Sequence, residues 1–452
     1  MKMNIRSVRL ATAALVAGIL SLTFAGCSSG SSNPLAAIQA QQAKNAGNFS
    51  KTVFIGDSLT AGYQSGSLLD TQQVHGWAPL VATQAQFNIV MPLIAYPGAP
   101  NVLKLTSLGP PPVITTVSGT TTGRDDFSTQ PTDLAVPGAT VNDALNTVAQ
   151  VNPAPGQQQI TQLVLGYPGL GYGQDLSQVG FAIKAQPTTI FLWIGSNDAL
   201  VAALTGTPAS MTSIADFTTQ FTSLIQQLST QTSAHLVIGN IPDVTLVPYL
   251  QPAAAVLAQY SAATHIPVAT LSALLGISAG DFVTPAGLSQ IPNILSGAQK
   301  TPITDAGVLT AAEAATAKQQ VTAYNQVVAA QAKNVGATLV DINALFTQIA
   351  ATGVTINGVT GTTGFLGGIF SLDGIHPTNT GYALVANDFI DAMNAAIGTK
   401  IPDIALGPVA AADPLWPPNL PKTVAGHAIT APEVPAAVLQ QTNAVLVHGA
   451  EQ

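Results

Sequence analysis

Four short apolar runs constrain this chain most: "TVFIG" (52–56), "TTIFLWIG" (188–195), "AHLVIGN" (234–240) and "ATLVDI" (337–342). Unalternated apolar runs of this length suit strands buried on both faces, as in parallel sheets. Between them lie longer stretches with helical periodicity, notably "SIADFTTQFTSLIQQLST" (213–230) and "LTAAEAATAKQQVTAYNQVVAAQAKNVG" (309–336). Strands alternating with helices predict an open α/β sheet with helices on both faces, a three-layer α/β/α architecture. Sheets of this kind carry their sites at the carboxyl ends of the strands. Ser58, Ser196, Asn197 and Asn240 fall there.

Two segments interrupt the alternation. Residues 97–133 are rich in Pro, Thr and Gly, and residues 242–305 are apolar but broken by Pro and Gly. Both are expected to be insertions folded over the sheet rather than strands of it. Within the second, 265–295 is nearly uncharged and is expected to cover the active site. Residues 401–452 are proline-rich and read as an extended wrap or loose tail. The expected organisation is therefore a leader over 1–26, a tether over 27–51, one catalytic domain over 52–400 with its two insertions, and a C-terminal extension over 401–452.

The leader has its own signature. An apolar stretch, "LATAALVAGILSLTFAG" (10–26), follows Lys2, Arg6 and Arg9 and ends at small residues. A basic start, an apolar body and a small-residue break make a secretory signal peptide; a retained membrane helix is the alternative. Cys27, the only cysteine, follows immediately, so no internal disulfide is expected. "FAGC" resembles the bacterial lipobox, with Phe24 where leucine is usual. That resemblance implies lipidation of Cys27, a membrane anchor and an exported envelope location, periplasmic or on the outer-membrane face. With 13 basic against 21 acidic residues, and three of the basic ones ahead of Cys27, the chain is a poor nucleic-acid binder.

The histidines (75, 235, 265, 376, 427 and 448) include no two within five residues, and no second cysteine exists. No metal site or cofactor is expected from spacing, which leaves open only a His/carboxylate site assembled from distant residues. Nucleophilic catalysis fits better. Ser58 ends the first apolar run in "VFIGDSLTAGY" (53–63), at a strand-to-helix turn. In "SLDGIHPTNTGY" (371–382), Asp373 and His376 stand three apart across a turn marked by Gly374 and Pro377. A carboxylate so placed can reach Nδ1 of the imidazole and leave Nε2 for a serine.

Four blocks in order, "FIGDSLTAGY", "LAVPGATV" (134–141), "WIGSNDAL" (193–200) and "SLDGIHPTNTGY", resemble the SGNH/GDSL hydrolases. The resemblance implies a flavodoxin-like parallel sheet and ester hydrolysis by a catalytic triad of Ser58, His376 and Asp373. It also implies an oxyanion hole from the Ser58 and Gly138 N–H groups and the Asn197 side chain. Asp133 stands where many members have asparagine. Asp57 is read as a structural carboxylate accepting backbone N–H bonds. Asp57→Asn is accordingly expected to cost stability, and Asp373→Asn to cost kcat with little change in stability. For the substrate, an apolar acyl ester is favoured, making a lipid-anchored lipase or esterase. A carbohydrate O-deacetylase, suggested by "GWAPL" (76–80) and the Thr/Asn-rich loops, a non-catalytic envelope binding lipoprotein and a structural surface protein are the competing readings.

Overall fold

The computed structural model describes residues 47–108, 112–166, 175–421 and 445–446. The four apolar runs form one parallel sheet of β1 (Thr52–Gly56), β2 (Thr189–Trp193), β3 (His235–Gly239) and β4 (Thr338–Val340), hydrogen-bonded in that order. Phe54 pairs with Phe191, Phe191 with Val237 and Ile238 with Leu339. The segment 132–136 runs parallel along the free edge of β1: Phe54 N–H donates to Thr132 O at 2.8 Å, and Val136 N–H to Gly56 O at 3.1 Å. The end of the first expected insertion therefore belongs to the sheet. Its position beside β1, with β2 on the other side, is flavodoxin-like.

Both faces are covered, which is why the strands carry no polar alternation. On one face, Phe54, Phe191 and Trp193 meet Trp77 of α1 (Trp77–Gln84), which stacks on Phe389 at 4.0 Å. Adjacent strand residues point the other way, and Ile190 and Leu192 are fully buried there. That second face is covered by α3 (Ile214–Gln231) and α4 (Ala311–Val335), joined by a Phe217–Tyr324 stack at 4.1 Å. Helix α4 starts at a reciprocal capping box between Thr310 and Glu313. Three further elements complete the frame around the site: α2 (Ser196–Thr205), α5 (Ile342–Thr352) and α6 (Asn379–Ile397), the helix that carries Phe389.

The first insertion holds a separate antiparallel hairpin, Leu103–Ser107 with Val113–Thr116. The second holds short helices and two strands of a small three-stranded sheet completed by Val308–Leu309, and buries Leu271, Leu275, Val283 and Ile291 in a core of its own. Residues 401–421 follow α6 and are held against it. Leu406–Ala412 is helical, and two asparagines of α6 clamp the chain before it. Asn394 exchanges two hydrogen bonds with the backbone of Ile401, and Asn387 does the same with Ile404. Among the described residues no helix is long and apolar enough to cross a membrane. Cys27, with the expected leader and tether up to residue 46, lies outside the described residues.

Candidate active site

At Gly56, the last residue of β1, nothing larger than glycine fits. A Cβ there would lie 2.3 Å from Thr60 Oγ1 and 2.7 Å from Trp193 O. The chain then turns: Leu59 N–H donates to Asp57 Oδ1 at 3.0 Å, while Thr60 and Ala61 N–H donate to Asp57 O. This turn holds Ser58 at the sheet edge, buried but for 3% of its surface. From the far end of the chain, the loop 371–377 closes through Ser371 N–H to His376 O at 2.8 Å, with Gly374 in the left-handed region (φ 71°).

The two segments meet. His376 Nε2 lies 2.8 Å from Ser58 Oγ, and His376 Nδ1 lies 2.9 Å from Asp373 Oδ2. A carboxylate only accepts, so Nδ1 carries the hydrogen and Nε2 is the acceptor facing the serine hydroxyl. Asp373 takes four further bonds: Gly66 N–H at 2.8 Å on Oδ2, and Ile375 N–H and His376 N–H at 2.9 Å with Ser371 Oγ at 3.3 Å on Oδ1. Burial pushes its pKa up, but the imidazole and these donors outweigh it and hold the carboxyl below its usual range. The Tyr63 ring packs on the imidazole at 4.6 Å.

Opposite the triad lie the remaining blocks. Asn197 sits at the start of α2, after Gly195 (φ 110°), and donates one Nδ2 hydrogen to Ala139 O at 2.9 Å. Its second amide hydrogen stays available. Asp198 ties the same two blocks: Oδ2 accepts Val141 N–H at 3.0 Å and Oδ1 accepts Thr212 Oγ1 at 2.8 Å. Gly138 has φ 81° and sits against the Val445 carbonyl. Among the described residues, neither the Ser58 nor the Gly138 N–H has a hydrogen-bond acceptor.

Three buried acids around this frame behave unlike Asp373. Burial raises Asp57 to about 7, against the Leu59 N–H and with the Asp198 charge adding to the rise. Burial likewise raises Asp198 to about 6 and Asp133 to about 8. Asp133 Oδ1 accepts Ala135 N–H at 3.1 Å, a bond an asparagine oxygen could equally take. Among the described residues the one well-formed bond to the Asp57 carboxyl comes from Leu59, and the backbone N–H of Ser196 lies near enough to oppose the rise weakly.

The structure thus brings together Ser58, Asp373 and His376 directly, with Asn197 and Gly138 linked across Ala139. Sequence reasoning passed over Gly66, Ser371, Asp198 and Tyr63. Ser371 and Asp198 lie inside the recognised blocks, whereas Gly66 comes from a turn with no motif. Trp77 of "GWAPL" is fully buried, so it offers no platform to a sugar. The cavity beside Ser58 is walled by Pro242–Val247, not by 265–295, which spends its apolar residues on its own core. Among the described residues no cluster of His, Cys, Asp and Glu could hold a metal ion.

A hydroxyl facing an imidazole that a carboxylate orients can serve acyl transfer. The GDSL-like lipase/acylhydrolase family model matches residues 52–389, three-quarters of the chain. The chain belongs to that family. It is an ester-hydrolysing enzyme. No curated protein matches it in sequence. Solved structures similar to it include an α/β hydrolase from the metagenome of Lake Arreo, Spain, at 13% identity over 78% of this chain and 99% of the other, with a TM-score of 0.34. Another is an acetylxylan esterase from Geobacillus stearothermophilus, at 13% identity over 77% and 96%, with a TM-score of 0.33.

Proposed function

We propose that this GDSL hydrolase is a serine esterase with Ser58 as nucleophile, His376 as base and Asp373 as the group that orients it. The observation that carries the reading is the continuous chain of contacts, 2.8 Å from Ser58 Oγ to His376 Nε2 and 2.9 Å from His376 Nδ1 to Asp373 Oδ2. Ser58 Oγ attacks the ester carbonyl as its proton passes to Nε2, and the imidazolium is stabilised by Asp373. The carbonyl oxygen, now charged, receives the Ser58 and Gly138 N–H groups and the second Asn197 amide hydrogen. Each such donor lowers the barrier by about 3–4 kcal/mol. His376 then protonates the departing alkoxide. Water, activated by the same imidazole, releases the acid from Ser58.

The substrate is an apolar acyl ester rather than an acetylated sugar. The cavity beside Ser58 is lined mainly by aliphatic and aromatic side chains, which match an acid with a longer carbon chain than acetate. Ser58→Ala should abolish both ester hydrolysis and fluorophosphonate labelling with an unchanged melting temperature. A labelled or active Ser58→Ala protein would sink the assignment. We further propose that Cys27 is lipidated and tethers the enzyme to an envelope membrane, on the strength of "FAGCSSG" and the absence of any other cysteine. The mature protein should partition with membranes and Cys27→Ser should accumulate as precursor; a soluble mature form starting elsewhere refutes the anchor.

A further inference from the structure

We propose that the cavity beside Ser58 holds the acyl chain of a short apolar ester. We assign the segment Pro242–Val247, which follows β3, as its specificity-determining wall. The inference rests on the serine-esterase reading above.

The cavity has a direction. It runs from Ser58 toward the ends of β3 and β4, bounded by Leu200, Val244, Val247, Phe346 and Ile375. Gly138 lies on the opposite side of β1, after the edge segment 132–136. An adduct on Ser58 Oγ has three other substituents. Its charged oxygen turns to the Asn197 and Gly138 donors, and its leaving oxygen must stay near His376 Nε2 to be protonated. The carbon chain of the acid is left to enter the cavity.

The cavity also has a size. Its volume is about 40 Å³. At about 10–15 Å³ per water-sized group, it takes roughly three or four such groups. A methylene is close to water in size, so butyrate and its near homologues fill the space and a palmitoyl chain does not. Phe346 and Phe370, stacked at 5.6 Å, form part of the surrounding wall.

The wall is built to keep its place. Asp243 is 4% exposed, and its Oδ1 accepts Thr245 N–H at 3.0 Å and Thr245 Oγ1 at 2.7 Å, closing the turn Val244–Leu246. Lys318 Nζ of α4 reaches Asp243 Oδ2 at 3.2 Å. Upstream, Asn325 of α4 exchanges two bonds of 2.8 Å with the backbone of Ile241, and Asn343 of α5 donates to the same carbonyl. Downstream, Tyr249 N–H donates to Gly374 O at 2.9 Å, between Asp373 and His376. The wall is thus pinned to the helices at one end and to the triad loop at the other, so its distance from Ser58 is fixed.

The test is two series: p-nitrophenyl acetate, butyrate, hexanoate, octanoate and palmitate, and alkyl acetates with a lengthening alcohol. Each methylene buried is worth about fourfold in kcat/KM. Butyrate should therefore exceed acetate about sixteenfold, with a fall beyond hexanoate, while the alcohol series stays nearly flat. Leu246, half-buried at the cavity wall, tolerates a larger side chain, and Leu246→Trp should bring the butyrate-to-acetate ratio toward one. Phe346→Ala should move the optimum to octanoate. A flat acyl series, a preference confined to the alcohol, or ratios unmoved in both variants overturns the proposal while fluorophosphonate labelling of Ser58 stands. Loss of that labelling in the wild-type enzyme takes the serine-esterase reading and this inference down together.

Discussion

Asp57 and Asp373 are both buried acids beside the site, yet replacing each by asparagine should have opposite effects on stability. Asp373 accepts five hydrogen bonds, two on Oδ2 and three on Oδ1. Whichever way an amide is turned, at least two donors face its NH₂, and two unpaired buried donors cost roughly 2–6 kcal/mol. The sequence expectation of unchanged stability for Asp373→Asn is therefore revised, while a kcat loss of about 10⁴ is retained for the disturbed tautomer. Asp57 keeps one well-formed bond, from Leu59, which an amide oxygen can accept. Its carboxyl is raised from 3.8 to about 7, so the folded state binds a proton that the unfolded state has released between those values. Folding stability consequently falls as pH rises through that window, by at most about 4 kcal/mol. An amide escapes that loss but leaves its own NH₂ poorly paired, at about 1–3 kcal/mol. Asp57→Asn, expected from sequence to cost stability, should instead gain about 1–3 kcal/mol at pH 8 and lose about 1–3 kcal/mol at pH 4. Urea unfolding at both pH values, with kcat for p-nitrophenyl butyrate, reads both arms. A destabilised Asp57→Asn at pH 8, or an Asp373→Asn protein as stable as wild type, refutes the reasoning.

Asp133→Asn should follow the same rule more strongly, its carboxyl being raised to about 8: melting temperature should rise at pH 8 and not at pH 4. Gly138→Ala should lower both melting temperature and kcat, because the residue has φ 81° and an added Cβ would lie 2.3 Å from Val445 O and 2.8 Å from Gln157 Oε1. Unchanged kinetics would remove Gly138 from the proposed oxyanion hole. Asn197→Ala should reduce kcat about 10²–10³-fold, with KM little altered, in steady-state assays.

The sheet was legible because β1 and β2 are buried on both faces, so "TVFIG" and "TTIFLW" carry a signal that no neighbour modifies. Helix α4 was legible from the helical periodicity of 309–336, and the structure adds its cap, Thr310 with Glu313. The edge segment 132–136 was not, since Pro131 and Pro137 break the run and its pairing depends on a free side of β1. Residues 401–421 read from their prolines as an extended wrap or loose tail; what holds Ile401 and Ile404 is Asn394 and Asn387, which no local pattern couples to them. For the site, Ser58, Asp373 and His376 were visible as motif residues at predicted turns. The donors that set the Asp373 charge were only partly visible, because Gly66 reaches it from a turn more than 300 residues away in sequence. The apolar segment 265–295 misled for a related reason: hydrophobicity reports burial, not what the burial is against.

The 80 residues between Ser58 and Gly138 would be troublesome if loop length positioned the donors, and the bonding pattern explains why it does not. Gly138 is placed from two directions that ignore the intervening chain. Upstream, Leu134 and Val136 N–H bond to β1, carrying the segment to the same edge as Ser58. Downstream, Ala139 O receives the Asn197 amide and Val141 N–H donates to Asp198, fixing the turn to the start of α2. An insertion between β1 and 132 can therefore lengthen without moving either end. Asp198 then carries a testable burden. Replacing it with alanine removes the tie on Val141 but leaves Asn197 and Gly138 intact, so kcat should fall while the KM for butyrate stays near wild type. Restoring an acceptor with Asp198→Asn should recover most of kcat, because an amide oxygen can take the Val141 bond and the Thr212 hydroxyl can reverse its role. Equal losses in the two variants would mean that charge, not the tie between the blocks, is what Asp198 supplies.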